Sequence, residues 1–510
     1  MPSTVAPSGG SKTQPADDQF NWQQQWYPLA PVSYLDRAKP TPYTVLGRRL
    51  VVWYHAPSQQ WRALEDRWPH RLVPLSEGRI EPGSGNLQCS YHGWQFGGDG
   101  RCARIPQADS PQQEAAACGS QRSCVAAFPV RQEQGMLWVW MEAGPGAAAA
   151  SQLRPLPLPA ELLSSGGDGA TPAGSLLGGW YQRELPLSAE YLLENLLDPS
   201  HIHFAHSGVI GSPSRAGSIP LHLAGPLTSQ GGFQLHMDRQ WQGRAGRQGG
   251  RGQQQAREIP GLVDVGEAAP AGGSGSVPAV TRFVPPGLVC PGTSRVFTAF
   301  FATGLPPVLQ SALRSDALAP LLHAFQFLAD LGAHQVIDGD AVHIHQQERT
   351  VRQEGRRSYF MPAAADRGVM LLHRWLDEYA GGGPQYFPGP GAASSGMGAA
   401  ASKPLSRQEV LDRYEQHTKH CPSCRQALSS VRSLRQALQL GSASAAAAFA
   451  VTVAQALATG PCLVLAPPCA SLSLPLVLGV AGLLAGGAQQ ALGRLERQFV
   501  FVDYVHADRK

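Results

Sequence analysis

Two short stretches decide the reading: Asp66-Arg67-Trp68-Pro69-His70-Arg71-Leu72 and, soon after, Leu87-Gln88-Cys89-Ser90-Tyr91-His92-Gly93-Trp94-Gln95-Phe96. Cys89 and His92 stand at a metal-ligand spacing. A lone Cys-x-x-His is a weak signal, but His70 sits in its own Pro-flanked loop and Pro74-Leu75-Ser76-Glu77-Gly78 follows it. Outward from here the pattern is short strands and turns. Tyr43-Thr-Val-Leu46, Leu50-Val-Val-Trp-Tyr54 and Met136-Leu-Trp-Val-Trp140 are aromatic and β-branched runs separated by turn residues. Residues 20–145 therefore read as a small all-β unit presenting two ligand loops.

A Rieske [2Fe–2S] centre takes two thiolates on one iron and two imidazoles on the other. Its usual order is Cys-x-His, a spacer, then Cys-x-x-His. Here His70, Cys89 and His92 fill three of the four places and Trp68 stands in the first. An indole offers only an N–H donor, so Trp68 is not a ligand. Cys102 lies outside both loops and is a poor substitute. The surrounding string nevertheless reads as the signature of a Rieske oxygenase domain.

The second dense patch is Glu194-Asn195-Leu-Leu-Asp198-Pro-Ser-His201-Ile-His203-Phe-Ala-His206. Non-haem Fe(II) that activates O₂ uses two histidines and one carboxylate on one face. His201 and His206 are the expected imidazoles, with Pro199 interrupting the helical ladder just upstream. Asp198 is placed to orient a ligand imidazole. The third ligand must come from afar. Asp340 is the expected one, with Asp338 its nearest competitor, both in Val336-Ile-Asp-Gly-Asp340-Ala-Val-His-Ile-His345.

No Asp, Glu, Lys or Arg occurs from Gln436 through Gly493. That length suits two membrane spans of about 20 residues each, read as 443–465 and 470–492 with a break at Pro467-Pro468. Arg432, Arg435, Arg494 and Arg497 flank the stretch, so both ends lie on one positive side. The competing reading is an Ala-rich helical pair in a soluble core. Just before it, Cys421-Pro-Ser-Cys424 is a pair spaced for redox exchange. Its alternatives are a structural pair or half of a zinc site, with no second half visible in the sequence.

The chain has 510 residues, a net charge of +4 and nine cysteines. The near-balanced charge gives no reason to expect nucleic acid, and the odd cysteine count does not describe a disulfide scaffold. The expected organisation is α+β overall: 1–19 a disordered N-terminus, 20–145 the Rieske domain and 146–176 a linker. Residues 177–406 form the α+β mononuclear-iron catalytic domain, with low-complexity insertions near 242–275 and 381–403. Then come 407–438, a helical segment bearing the cysteine pair, 439–497, a two-helix membrane hairpin, and 498–510, a tail. Lys12 is the only basic residue among the first 19, beside Asp17 and Asp18, so no transit peptide is evident.

Taken together, these motifs resemble the plastid Rieske monooxygenases of the pheophorbide a oxygenase group, with the translocon-associated and protochlorophyllide-associated Rieske proteins. The resemblance rests also on Asp340…His345-Gln-Gln-Glu348, on Arg413-Tyr-Glu-Gln-His-Thr…Cys421-Pro-Ser-Cys424 and on Phe499-Val-Phe-Val-Asp-Tyr-Val-His506. It implies ferredoxin as electron source, a [2Fe–2S] cluster, mononuclear Fe(II), O₂ and a hydrophobic tetrapyrrole substrate. It implies catalytic roles for Asp198 and Asn195, a homotrimer, thioredoxin control of Cys421 and Cys424, and a chloroplast membrane, inner envelope or thylakoid. The alternative is a non-catalytic or redox-sensing protein of the same fold, because Trp68 replaces the first cluster cysteine.

Overall fold

The computed structural model describes residues 19–158, 174–223, 225–238, 253–259, 262–265, 279–303, 319–387, 404–458 and 470–506. The N-terminal unit is built from antiparallel sheets. One runs Thr41–Val45, Arg48–His55, Gln60–Glu65 and Ala127–Phe128 in that order; a second runs Arg79–Ile80, Leu87–Gln88, Gln95–Phe96 and Cys102–Arg104. Leu46 and Gly47 (φ 50° and 77°) make the tight turn between the first two strands, a geometry that matches the strand twist. A Cβ on Gly47 would lie 2.9 Å from the Phe387 carbonyl oxygen.

Strand Arg48–His55 divides two cores by its two-residue period. Leu50 and Val52 face the large core shared with the rest of the molecule. Val51 and Trp53 face a smaller core containing Trp68, Leu75, Cys89 and Phe96. The ligand loops are thus rooted in a core of their own. A third core of Trp26, Trp138, Trp140 and Trp180 joins the two domains. The expected linker contributes to it: Ala147–Leu153 is a helix, Ala147 and Leu156 are buried, and Trp26 donates to the Ser151 carbonyl at 3.1 Å. Its Ala-rich composition reads as linker until those alanines have tryptophans to pack on.

The catalytic region pairs Gly174–Leu185, Thr293–Thr303 and Ala279–Cys290 in one sheet, and Leu221–Leu223, Gln234–Asp238, Gln253–Ile259 and Leu262–Val265 in another. The last two strands fall inside 242–275, expected as a low-complexity insertion. A Gln-rich strand shows no apolar alternation, and backbone pairing alone defines it. The rest of 242–275 lies outside the described residues, as does most of 381–403. Of the latter, Tyr386 and Phe387 pack on the large core, and Phe387 N–H donates to the Leu46 carbonyl at 2.7 Å.

Helix Ala189–Leu197 buries Ala189, Leu193 and Leu197 against that core. A long helix, Ala319–Glu354, carries Asp330, Asp338 and Asp340. The segment expected as one amphipathic helix over 407–438 is broken. A turn at Arg407–Val410 and a π-helical turn at Tyr414–Thr418 precede a helix at Pro422–Ala458. That helix packs beside Ala470–Val500, tied by Arg432 and Arg435 to Glu496 at 2.9 and 2.6 Å and by Gln489 to Ser442 at 3.0 Å. Among the described residues one helix, Pro422–Gln455, is long and apolar enough to cross a membrane, and none of its apolar window is buried. Pro467-Pro468 lies outside the described residues.

Candidate active site

The two ligand loops of the β domain are built alike. In one, Trp68 N–H donates to the Val73 carbonyl and Leu72 N–H to the Trp68 carbonyl, at 2.9 and 2.8 Å; in the other, Cys89 N–H donates to Trp94 and Gly93 N–H to Cys89, at 2.9 and 3.0 Å. Leu72 and Gly93, each four residues on, both have positive φ, 61° and 74°. Trp68 therefore holds, residue for residue, the position of a thiolate ligand. Its indole is fully buried, with its ring 4.6 Å from that of His70 and 5.1 Å from that of His92. It fills the space between the imidazoles, and Trp68 Nε1 and His92 Nδ1 are buried without hydrogen-bond partners. Cys102 Sγ lies 3.3 Å from Cys118 Sγ instead of joining a ligand loop. Three ligands around a buried indole do not fit a cluster that needs two thiolates and two imidazoles.

The oxygen-activating half has a matching donor set. His201 begins and His206 ends the one-turn helix Ile202–Ala205. Asp340 comes to them from the long helix: its Oδ2 is 3.2 Å from His206 Nε2 and its Oδ1 is 3.9 Å from His201 Nε2. The three donor atoms lie within 4.8 Å of one another. Two imidazoles and one carboxylate fit a mononuclear iron, which when bound supplies O₂ activation. The approach needs Gly339, where a Cβ would sit 3.1 Å from both His206 Nδ1 and the Ala205 carbonyl oxygen.

Asp198 terminates helix Ala189–Leu197, and the chain turns at Pro199 instead of continuing helically. Its carboxylate Oδ2 is 3.7 Å from His201 Nδ1, and its backbone carbonyl contacts the same nitrogen. A proton held at Nδ1 leaves Nε2 free toward Asp340, as second-shell acceptors do for metal-binding histidines. Burial pushes the Asp198 carboxyl up, but hydrogen bonds from His201 and Ser200 outweigh it and hold it below the usual range. Burial pulls His201 down, but Asp198 and Asp340 beside it leave it raised. Asn195 is half-buried on the last turn of the same helix, and its carbonyl accepts from Asp198 N–H at 3.2 Å.

Asp338 is engaged elsewhere. It accepts from Arg183 Nη1 at 2.7 Å and from Arg413 Nε at 2.8 Å, all three side chains being buried. The tail, which the sequence offers only as part of the resemblance, also reaches the site. Tyr504 donates to the Ala205 carbonyl at 2.9 Å, and His506 Nε2 lies 3.2 Å from the Gly339 carbonyl oxygen, so the C-terminus buttresses the turn bearing His206. Cys421 and Cys424 are buried, and His417 and Asp330 stand beside them.

Comparison with known proteins places this geometry. The model for the Rieske [2Fe-2S] domain matches residues 25–129, and that for the vanillate O-demethylase oxygenase C-terminal domain matches 187–250. The chain is 32% identical to pheophorbide a oxygenase of Oryza sativa subsp. japonica over 97% of this chain and 87% of the relative. It is 31% identical to the same enzyme of Arabidopsis thaliana, over 98% and 86%. It is 27% identical to protochlorophyllide-dependent translocon component 52 of Arabidopsis thaliana, over 84% and 77%. All three relatives are chloroplastic proteins. The chain belongs to the Rieske non-haem iron oxygenase family that includes pheophorbide a oxygenase. It is an oxidoreductase with a Rieske domain and the mononuclear-iron oxygenase domain of that family, and the Rieske ligand set is short by one thiolate.

Proposed function

We propose that this protein is a monooxygenase of a chlorophyll-derived tetrapyrrole of the pheophorbide a kind, working with O₂ at the His201–His206–Asp340 site. The convergence of those three side chains is the observation that carries the reading. Asp198 fixes the His201 proton, and Asn195 holds the turn that presents it. The names of the relatives support the substrate class. So does an exposed apolar surface beside the histidines, formed by Phe204 and Ile210.

The same reading includes ferredoxin as electron source, a chloroplast membrane and a second apolar span at 470–492. It includes a homotrimer too: Leu72 and Tyr91 are exposed at the tip of the ligand loops, an apolar surface suited to a neighbouring subunit. No electron step is assigned through His70, Cys89 and His92. The alternative of a non-catalytic protein is favoured by Trp68 alone. Incubation of purified protein with pheophorbide a, O₂, reduced ferredoxin and a reductase tests the proposal. Oxygenated product from the Trp68→Cys variant reconstituted with iron and sulfide, disappearing when His206→Ala is added, supports it. Product formed by neither this protein nor its Trp68→Cys variant, with iron present in both, refutes it.

A further inference from the structure

Apart from the site above, three or more metal-capable side chains converge at one other place among the described residues: Asp330, His417, Cys421 and Cys424, all fully buried or nearly so. Asp330 Oδ2 lies 3.3 Å from Cys421 Sγ, 3.2 Å from Cys424 Sγ and 3.4 Å from His417 Nε2; His417 Nε2 lies 3.3 Å from Cys424 Sγ. A tetrahedral zinc with bonds of about 2.3 Å to sulfur and about 2.0–2.2 Å to nitrogen and oxygen has ligand–ligand edges of roughly 3.3–3.8 Å. Four of the six edges, at 3.2–3.4 Å, stand near those values, and all four atoms lie within 4.8 Å of one another.

The supporting shell points the same way. His417 Nδ1 is 2.6 Å from the Gln182 carbonyl oxygen, which places the ring hydrogen on Nδ1. Nε2 then faces a carboxylate and a sulfur, where either a second ring proton or a metal cation sits between them. The other Asp330 oxygen accepts from Gln326 Nε2 at 2.9 Å, as a ligating carboxylate does. Local backbone delivers the ligands: the π-helical turn Tyr414–Thr418 holds His417, and Cys421 and Cys424 flank Pro422 at the first turn of the next helix. π-turns are rare and concentrate at functional sites.

The surrounding charge suits an occupied site. With both thiols ionised, one carboxylate and two thiolates would carry −3 in this buried cluster. Zn²⁺ brings this to −1. Arg183 and Arg413 outnumber their partner Asp338 by one charge, and Tyr181 links the two clusters, stacked on His417 at 4.8 Å and bonded to His334 at 2.9 Å.

We propose that Asp330, His417, Cys421 and Cys424 bind a structural zinc ion, four protein ligands leaving no open position for chemistry. It clamps the long helix to the base of the C-terminal helical pair. Asp330 and Asp340 share that helix, ten residues and roughly 15 Å apart, so the clamp fixes the element that presents Asp340. The second half of a zinc site, invisible in the sequence, is His417 four residues before the pair and Asp330 some ninety residues upstream.

Metal analysis of full-length protein purified under reducing conditions tests this. One equivalent of zinc is expected, retained in His201→Ala/His206→Ala and lost in Cys421→Ser/Cys424→Ser. Should the serine variant not fold, titrating the wild type with a mercurial releases the zinc as two thiols react. Growth with cobalt instead gives the visible and sulfur charge-transfer bands of a tetrahedral thiolate complex, which Asp330→Asn alters. Wild-type protein free of zinc, with Cys421 and Cys424 cycling between thiols and a disulfide under thioredoxin, overturns the proposal and returns the pair to redox exchange.

Discussion

Trp68 and Cys89 occupy equivalent points of two matching loops, each accepting through its carbonyl an N–H from four residues on and each donating its own N–H five residues on. One of them can bind iron and the other cannot. The β domain thus keeps the backbone of a cluster site while an indole fills its interior.

Trp68→Cys is therefore expected to create a site, not merely disturb one. The wild type should lack the EPR signal of a reduced Rieske centre. The variant, reconstituted with iron and sulfide, should show it, with two irons and two sulfides per chain in addition to the mononuclear iron. Without reconstitution the variant should lose about 3–5 kcal/mol of stability, the usual effect of emptying a large buried side chain. A full Rieske signal in the wild type would contradict the fit drawn here.

Asp338 and Asp340 should separate cleanly. Asp340→Ala is expected to lose iron and leave thermal unfolding little changed. Asp338→Ala strands Arg183 and Arg413 in the interior and should destabilise by about 3–5 kcal/mol. Calorimetry beside metal analysis reads both, and equal iron loss with equal destabilisation in the two variants would contradict the separation.

Gly339→Ala forces a methyl to within 3.1 Å of His206 Nδ1 and of the Ala205 carbonyl. Overpacking of this kind costs about 1–3 kcal/mol. It should appear as weaker iron binding, measured by competition with a chelator of known affinity, since the carbonyl and the imbedded imidazole must both shift.

Iron loading should fall on acidification, and early. His201 must shed its proton to bind metal, and Asp198 and Asp340 raise it above the ordinary imidazole value of 6.5. The proton therefore competes at higher pH than for a free histidine, and loading declines as pH drops through that raised value. In Asp198→Asn the decline should move to lower pH, which a pH series of iron-binding isotherms resolves.

The fold was legible where side chains repeat with the period of their element. Leu50–Tyr54 reads as a strand and proves to lie in one between two cores. The pairing of His201 with His206 was legible because both sit on one turn. What sequence hides is convergence from afar. Asp330 reaches Cys424 across 94 positions, and the tail's Tyr504 reaches Ala205 across 299; neither leaves a local pattern. Strand Gln253–Ile259 was missed because its partner's backbone, not its composition, makes it a strand.

The central claim is that His201, His206 and Asp340 grip one ferrous ion. Iron content of the purified wild type and of His201→Ala/His206→Ala, measured alongside circular dichroism, tests it most directly. The account predicts one iron per wild-type chain, none in the folded double variant, and zinc unchanged between them. Iron retained in full by a folded double variant would contradict it.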